Sequence, residues 1–213
     1  MPIAKVHKTV KKAFSKFSRK EVFEYVGITH LTDWSLEFEA IAPSHDFQAH
    51  LERITCFDLE GSEEGKKLMI DAILIEAIQP FKQTLKIWKG AALEGDIAQG
   101  AADYLITPNK GYFDSPFLCI IEAKRDDFYQ GLAQCLIEMK TCQWHNQQSG
   151  KTFDVFGIVT NGEGWKYFKL DQKAAYETTL YSISDIAVII GGLHYLLAEC
   201  EKNLVESSQE QKP

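Results

Sequence analysis

The chain has 213 residues, of which 45% are hydrophobic and 25% charged, which is ordinary for a globular protein with one sizeable core. Its formal net charge of −7 argues against a protein that coats nucleic acid through bulk positive charge. No apolar run reaches the length of a membrane span, and the amino terminus lacks the apolar core of a secretory signal. Five cysteines without a Cys-x-x-Cys pair are typical of reduced thiols, so we expect a cytoplasmic protein.

Positive charge is concentrated at the amino terminus, where residues 1–20 hold seven basic residues and no acidic residue. Apolar residues recur there at helical spacing: Val6, Val10, Phe14 and Phe17. The pattern predicts an amphipathic helix whose basic face contacts nucleic-acid phosphates. The lysines of that face are Lys8, Lys11, Lys12 and Lys16. A docked helix with a solvated basic face, a partly disordered arm and an organellar presequence are the alternatives.

Three further helices are predicted before the first strand, over residues 21–26, 46–53 and 68–81, with a polar loop at residues 60–66. The last of these helices carries an apolar stripe and ends near Pro80. The stripe consists of Leu68, Ala72, Ile75 and Ile78.

The next segment predicts three strands in succession, at residues 85–92, 102–107 and 117–124. The last two flank a turn-rich loop and are expected to pair antiparallel, so that the numbers of paired residues have a constant sum. If Pro108 lies opposite Phe117, then Asp103 lies opposite Glu122, because both sums equal 225. Like charges opposite each other destabilise a sheet, so this arrangement predicts a cation bound between the two carboxylates.

The third strand ends in a second charge, since Lys124 follows Glu122 by two residues. Side chains alternate along a strand, so both charges point to one face, about 7 Å apart. A charged strand end that reaches solvent is the alternative.

A long helix is expected after this strand, with Asp127 as its cap and Gln134 beside its apolar stripe. Strands at residues 155–160 and 165–170 follow, and Ser184 is expected to cap a last helix. We therefore divide the chain into three parts. These are a helical amino-terminal segment, residues 1–67, a core domain, residues 68–204, and a disordered tail, residues 205–213.

Asp103 followed by Glu122-Ala123-Lys124 resembles the signature of the PD-(D/E)XK nuclease superfamily, which has the restriction-endonuclease-like fold. The resemblance covers residues 68–170, about half of the chain, and departs from the pattern where Ala102 replaces the proline. It implies an α/β fold with an αβββαβ core, in which helices flank a mixed central sheet. The same order of elements follows from the residue patterns alone, and additional helices are expected at both ends of the chain.

The resemblance also implies a site. Asp103, Glu122 and the carbonyl of Ala123 would bind Mg²⁺, with Mn²⁺ as a substitute, and a glutamate on the preceding helix, Glu76, would reach the metal. Hard oxygen ligands of this kind suit Mg²⁺. Lys124 would orient or deprotonate the attacking water, and Gln134 would project toward the site. A surface position is the alternative for Glu76 and for Gln134.

The expected activity is Mg²⁺-dependent hydrolysis of phosphodiester bonds, with DNA as the favoured partner and no membrane partner. A homodimer is expected if both strands of a duplex are cut. One alternative is a non-catalytic nucleic-acid-binding or interaction subunit that retains the nuclease fold. Another is a hydrolase of a different phosphate ester. The sequence contains no Walker loop for nucleotide binding.

Overall fold

The structure is a computed structural model that describes residues 11–59, 61–123 and 128–209. The helices in these ranges are α1 (Arg19–Val26), α2 (His45–Ile54), α3 (Glu63–Ile78), α4 (Phe128–Gln148) and α5 (Ile186–Gln209). The strands are β1 (Lys12–Ala13), β2 (Thr32–Asp33), β3 (Leu85–Glu94), β4 (Ala98–Pro108), β5 (Cys119–Ala123), β6 (Val155–Thr160), β7 (Gly164–Leu170), β8 (Ala175–Glu177) and β9 (Tyr181–Ser182). Single 3-10 turns occur at Phe14–Lys16, Gln79–Phe81 and Ile183–Asp185.

All the strands of the described residues join one mixed sheet, in the order β1-β4-β5-β6-β7-β8-β2, with β3 on β4 and β9 on β7. β3, β4 and β5 pair antiparallel, whereas β5 and β6 are parallel and are connected through α4. A parallel pair requires such a crossover connection. The prediction of an α/β fold, with a mixed central sheet flanked by helices, is confirmed, and α3 to β6 follow the predicted order of helix, three strands, helix and strand.

The sheet separates two hydrophobic clusters. Ile73 of α3 and Leu193 of α5 belong to the cluster on one face, and Phe14 and Leu136 of α4 belong to the cluster on the other. Each large aliphatic side chain that is fully buried contributes about 1.5–3 kcal/mol to stability. The strands that carry Asp103 and Glu122 are therefore held between α3 and α4.

The predicted amino-terminal helix is wrong for the described part of that segment. Lys12 and Ala13 form β1, which pairs in parallel with β4, and the Lys12 N–H donates to the Ile97 carbonyl at 3.0 Å. Phe14 is buried above Gly100, where a Cβ would lie 2.6 Å from the phenylalanine ring. Backbone groups at the edge of β4 thus pair with the segment in an extended conformation.

A second strand from the amino-terminal segment, β2, pairs in parallel with β8. The next residue, Trp34, stacks on the ring of Phe156 at 6.2 Å between ring centroids and meets the edge of Tyr195. Residues 11–59 and 61–67, predicted as helical, therefore contribute two strands to the sheet in addition to α1 and α2.

The carboxy-terminal helix differs from the prediction at both ends. Ser184 does not cap it, because residues 183–185 form a 3-10 turn in which the Ser182 hydroxyl accepts from the Ser184 N–H at 3.3 Å. The helix continues through Gln209, so residues 205–209 of the predicted disordered tail are helical, and residues 210–213 lie outside the described residues. Leu204 packs against the core near this end.

Within the described residues, one helical stretch, Ile183–Glu206, is long and apolar enough to cross a membrane by length and composition, although no such run was expected. A core helix passes the same test. Ile189, Leu193 and Leu197 of this stretch are buried in the cluster that it shares with α3. These three side chains thus have partners within the fold.

We expect Glu21 to make the stability of the amino-terminal region depend on pH. A hydrogen bond from Lys12, followed by hydrogen bonds from the backbone and side chain of Ser18, lowers the pKa of Glu21 from 4.5 to about 2. An acid with a lowered pKa stabilises the folded state above pH 4.5, and this contribution is lost as the pH falls toward 2. The difference in unfolding free energy between wild type and Glu21→Gln should shrink over that range.

The variant Lys12→Met is the matched test, because it removes the largest cause of the shift. We expect the pKa of Glu21, measured by NMR titration, to rise in this variant. A Glu21 carboxyl that titrates near 4.5 in the wild type would contradict the contact between α1 and β1.

Candidate active site

The pairing of β4 with β5 fixes the relation between the two predicted metal-binding carboxylates. Tyr104 pairs with Ile121, and Leu105 with Ile120, so the numbers of paired residues sum to 225, as predicted. The predicted sum is confirmed for these pairs, of which Tyr104 with Ile121 is the last. The same register, continued by one residue, would bring Asp103 opposite Glu122. The Ala123 N–H donates to Asp103 Oδ2 at 2.9 Å and links the strands at this point.

The ladder on the other side of β4 is interrupted at Asp103. Lys89 pairs with Tyr104 and Ala91 with Ala102, but the intervening pair of Gly90 and Asp103 is missing. Gly90 has a φ of 64°, a backbone conformation that residues with a side chain rarely adopt. Ala102 and Tyr104 accordingly belong to hydrophobic clusters on opposite faces, although strict alternation would place them on one. A local break in the sheet therefore accompanies the candidate ligand, as is common near functional sites.

The first turns of α3 contribute a cation to Asp103. Lys67 Nζ lies 3.2 Å from Asp103 Oδ1 and 3.0 Å from Glu63 Oε1, with Glu64 at 3.7 Å. Burial lowers the pKa of Lys67, but the hydrogen bonds and charges of Glu63 and Asp103 outweigh burial and raise it above its usual value. Lys67 thus remains protonated at neutral pH and holds one oxygen of Asp103.

Sequence reasoning missed this contact, because residues 60–66 were predicted as a loop. α3 begins at Glu63, since the Ser62 hydroxyl accepts from the Gly65 N–H at 3.0 Å and caps the helix. Two glutamates in the first turn interact favourably with the positive end of the helix dipole. A serine followed by two glutamates is an amino-terminal helix signal, and it would have found the correct start.

A second contact holds α3 against the strand that carries Asp103. The Tyr104 hydroxyl donates to Asp71 Oδ1 at 2.9 Å, and Lys89 of β3 pairs with Asp71 Oδ2 at 2.6 Å. Burial, followed by the hydrogen bond to Asp71, raises the pKa of Tyr104, so the phenol stays protonated and remains a donor. The helix, β4 and the edge strand β3 are therefore joined one residue from the candidate site.

The face toward α4 holds a buried polar group. Glu122 lies between Ile121 and Ala123, whose side chains belong to the α3 face, so alternation directs Glu122 toward α4. Gln134 is 7% exposed and donates from Nε2 to Glu138 Oε1 at 3.0 Å, and Glu122 and Glu138 are fully buried. Gln134 is therefore not a solvent-facing residue.

A buried thiol links the members of this group. Burial, followed by the charges of Glu138 and Glu122, raises the pKa of Cys135 well above its usual value. The charges of both carboxylates thus act on the Cys135 thiol. Glu138 was not predicted, although its position one helical turn after Gln134 places both side chains on one face of α4.

Glu76 does not reach this site. Its carboxylate accepts from the Ser44 N–H at 2.8 Å and from the Ser44 hydroxyl at 3.0 Å, at the start of α2. Glu76 follows Lys67 by nine residues, about 14 Å along the helix axis. The predicted stripe of α3 was also rotated, because Ile75 is 54% exposed, and Ile73 and other residues form the buried face. The structure thus separates Glu76 from Asp103.

The predicted basic face is mostly occupied by ion pairs. Lys11 Nζ lies 2.7 Å from Glu94, and Lys12 Nζ lies 2.5 Å from Glu21. Lys16 is exposed on its 3-10 turn. Lys8 and Lys124 both lie outside the described residues.

The two candidate carboxylate ligands suit Mg²⁺ better than a metal that needs more protein ligands. The described residues contain no group of three or more His, Cys, Asp or Glu side chains placed to hold a metal. Mg²⁺ is commonly held by one or two carboxylates and keeps several waters. Asp103 and Glu122, which follow the last pair of β4 with β5, would provide this number of hard oxygen ligands. This donor chemistry is compatible with Mg²⁺.

We expect Gly90→Ala to lower the free energy of unfolding by about 1–2 kcal/mol, because a Cβ is disfavoured at positive φ. The loss would be conformational, since an added Cβ meets no atom within 4 Å. Gly111→Ala is the control, because it also meets nothing within 4 Å and its φ lies outside the positive range. Equal losses in denaturant-induced unfolding of the two variants would contradict the strained turn at Gly90.

We also expect Glu76→Ala to cost about 1 kcal/mol of stability, through the lost hydrogen bonds to Ser44, without weakening metal binding. Asp103→Asn should weaken the binding of Mn²⁺, measured by calorimetry. If Glu76→Ala weakened Mn²⁺ binding as much as Asp103→Asn, the separation of Glu76 from the site would be wrong.

Comparison with known proteins finds distant relatives among Crinkler effectors. A stretch of 110 residues, 52% of the chain, is 31% identical to Crinkler effector protein 5 of Phytophthora infestans and covers 29% of that protein. An alignment 170 positions long, which covers 70% of the chain and 35% of the relative, is 24% identical to Crinkler effector protein 1 of Rhizophagus irregularis. The chain thus spans about a third of the length of these curated relatives. No protein-family model matches the chain.

Proposed function

We propose that this chain is a Mg²⁺-dependent nuclease of the PD-(D/E)XK type, with DNA as the favoured substrate. The observation that carries the proposal is the register of β4 on β5, in which Asp103 and Glu122 follow the last pair, Tyr104 and Ile121, and the Ala123 N–H donates to Asp103. A ladder gains nothing from opposed carboxylates, so the arrangement fits a site that attracts a cation. The order of elements from α3 to β6, which is the core order of the superfamily, supports the same conclusion.

The two carboxylates are held in different ways. Asp103 is fixed by the Ala123 N–H and by Lys67, and Glu122 is fixed by burial against α4. A divalent ion bound by both carboxylates and by the carbonyl of Ala123 would supply an activated water and offset the charge of the transition state. Restricting the carboxylates in advance keeps the donor atoms in position before substrate arrives.

Two further residues complete the proposed site. Lys124, which comes directly after Ala123 in sequence, would orient the attacking water and contact the scissile phosphate. The Gln134 amide donates a hydrogen bond to Glu138 in the same buried layer as Glu122. We therefore assign Gln134 a role in positioning these carboxylates. Glu76 has no role in this proposal.

The environment of the cysteines supports a cytoplasmic location. All five are free thiols, and Cys56 is exposed while the other four are buried. Burial raises the pKa values of the four buried thiols, which keeps these groups protonated. Thiols of this kind fit a reducing compartment.

One observation favours the alternative of a non-catalytic binding subunit that keeps the fold. Lys67 already neutralises Asp103, and it also pairs with Glu63 and Glu64. A lysine in contact with a candidate ligand competes with a metal ion for the same carboxylate. The names of these relatives describe effector proteins and specify no reaction, so the choice between enzyme and binding subunit rests on the site itself.

Cleavage of supercoiled plasmid and of single-stranded DNA, in Mg²⁺, Mn²⁺ or EDTA, tests the proposal. We expect metal-dependent cleavage, reduced on the order of 100-fold or more in Asp103→Asn, Glu122→Gln and Lys124→Met. The physical reason is that the first two variants each remove a charged ligand, and the third removes the cation that faces the phosphate.

Glu52→Gln is the matched control, because it neutralises an exposed carboxylate on α2, and it should cleave as the wild type does. Wild-type protein that shifts DNA in a gel but cleaves nothing in either metal would support the binding subunit instead. Cleavage that persists in Glu122→Gln would contradict the assignment of the active site to these residues.

A further inference from the structure

A groove of about 400 Å³ lies between α1, the start of α4 and β7. We call it the Tyr129 groove and define it by six of its lining residues: Arg19, Phe128, Tyr129, Lys166, Phe168 and Leu180. Its volume falls in the range of pockets that hold small organic ligands. Neither the metal site nor the predicted basic face includes any of these residues.

The groove opens on the same face of the sheet as Glu122. Glu122 pairs with Val159 of β6, and Val159 pairs with Lys166 of β7, so the three residues form one row across the sheet. Paired residues on adjacent strands point to the same face. Glu122 and Lys166 are therefore two strand spacings apart, about 10 Å. A substrate held at the carboxylates can extend into the groove.

Aromatic rings and cations line the groove together. The guanidinium of Arg19 lies 4.9 Å from the ring centroid of Phe23 and 5.7 Å from that of Tyr129. Lys166 Nζ lies 5.9 Å from the ring of Phe168 and pairs with Glu177 at 2.5 Å. Among the described residues, no carboxylate lies within ion-pair distance of Arg19. Within the part of the chain that the structure describes, the contacts of Arg19 are therefore with aromatic rings.

Tyr129 is 72% exposed, although it occupies the second position of a long, largely buried helix. Leu180 on the opposite wall is 58% exposed. A glycine keeps the walls close, because a Cβ on Gly164 would lie 3.2 Å from Phe128 and 3.2 Å from Leu180. The groove thus presents an exposed aromatic ring at Tyr129 and an exposed aliphatic side chain at Leu180, both able to contact a planar group.

We propose that the Tyr129 groove binds an unpaired nucleobase of the substrate strand, next to the phosphodiester held at Asp103 and Glu122. The base stacks on the Tyr129 ring, and Arg19 contacts the neighbouring phosphate. Stacking on aromatic side chains accepts any base, because every base has a flat face. This subsite rests on the proposed function and deepens it, since it selects substrates with single-stranded or extruded nucleotides over continuous duplex.

Binding without catalysis tests this subsite. The probes are a fluorescent thymidine oligonucleotide of about ten nucleotides and an oligonucleotide of equal length with abasic sites, measured by anisotropy in EDTA. We expect Tyr129→Ala to weaken binding of the thymidine strand by about fivefold to 100-fold and to leave binding of the abasic strand nearly unchanged. Tyr129→Phe keeps the ring and should bind both strands as the wild type does.

Tyr112→Ala is the control, because Tyr112 is also an exposed tyrosine, at 64%, but lies outside the groove. The proposal is overturned if Tyr129→Ala binds both strands as the wild type does, if it loses both equally, or if wild type binds neither. These outcomes are separate from the failure of the proposed function. Base-dependent binding without cleavage in Mg²⁺ would support the subsite and contradict the nuclease activity. Cleavage without base-dependent binding would support the nuclease activity and contradict the subsite.

Discussion

Two carboxylates on neighbouring strands repel each other, and Asp103 and Glu122 are the residues that follow the last pair of β4 with β5, Tyr104 and Ile121. The backbone contributes first, through the hydrogen bond from the Ala123 N–H to Asp103. Hydrophobic burial contributes more, because both strands lie between two clusters and cannot slip by one residue without turning apolar side chains to the wrong face. The register that brings the charges together is thus fixed by residues that carry no charge.

The two carboxylates differ in their exposure. Lys67 of α3 meets Asp103 at a position that remains partly exposed, so a cation from solution or a lysine can neutralise it. Glu122 is fully buried near Glu138 and Cys135, where holding a charge requires a partner. One carboxylate is therefore accessible from solution, and the other lies deep in the fold on the side of α4.

The sequence predicted the parts of the fold that depend on local patterns. The periodicity of β6, the turn after β4 and the apolar run of β5 are local patterns. The constant sum of paired residue numbers then predicted the register of β4 on β5, and with it Asp103 opposite Glu122. Contacts between distant segments were not predictable in this way. Lys12 and Ala13 form a strand only because the edge of β4 offers backbone partners, and Glu76 faces Ser44 because of how α2 packs on α3. Helical spacing alone does not show which face of α3 the rest of the chain covers.

The distribution of charge explains why recognition would rest on a groove. The chain is acidic overall, and Lys11 and Lys12 of the predicted basic face are paired with glutamates of the fold, so these two cations are less available to phosphates. Neutralising many phosphates produces strong binding that weakens steeply with salt, and it requires a basic surface. Stacking of a base on an aromatic ring needs no such surface, because its energy comes from contact and desolvation. The proposed subsite at Tyr129 is therefore compatible with the acidic charge of the chain.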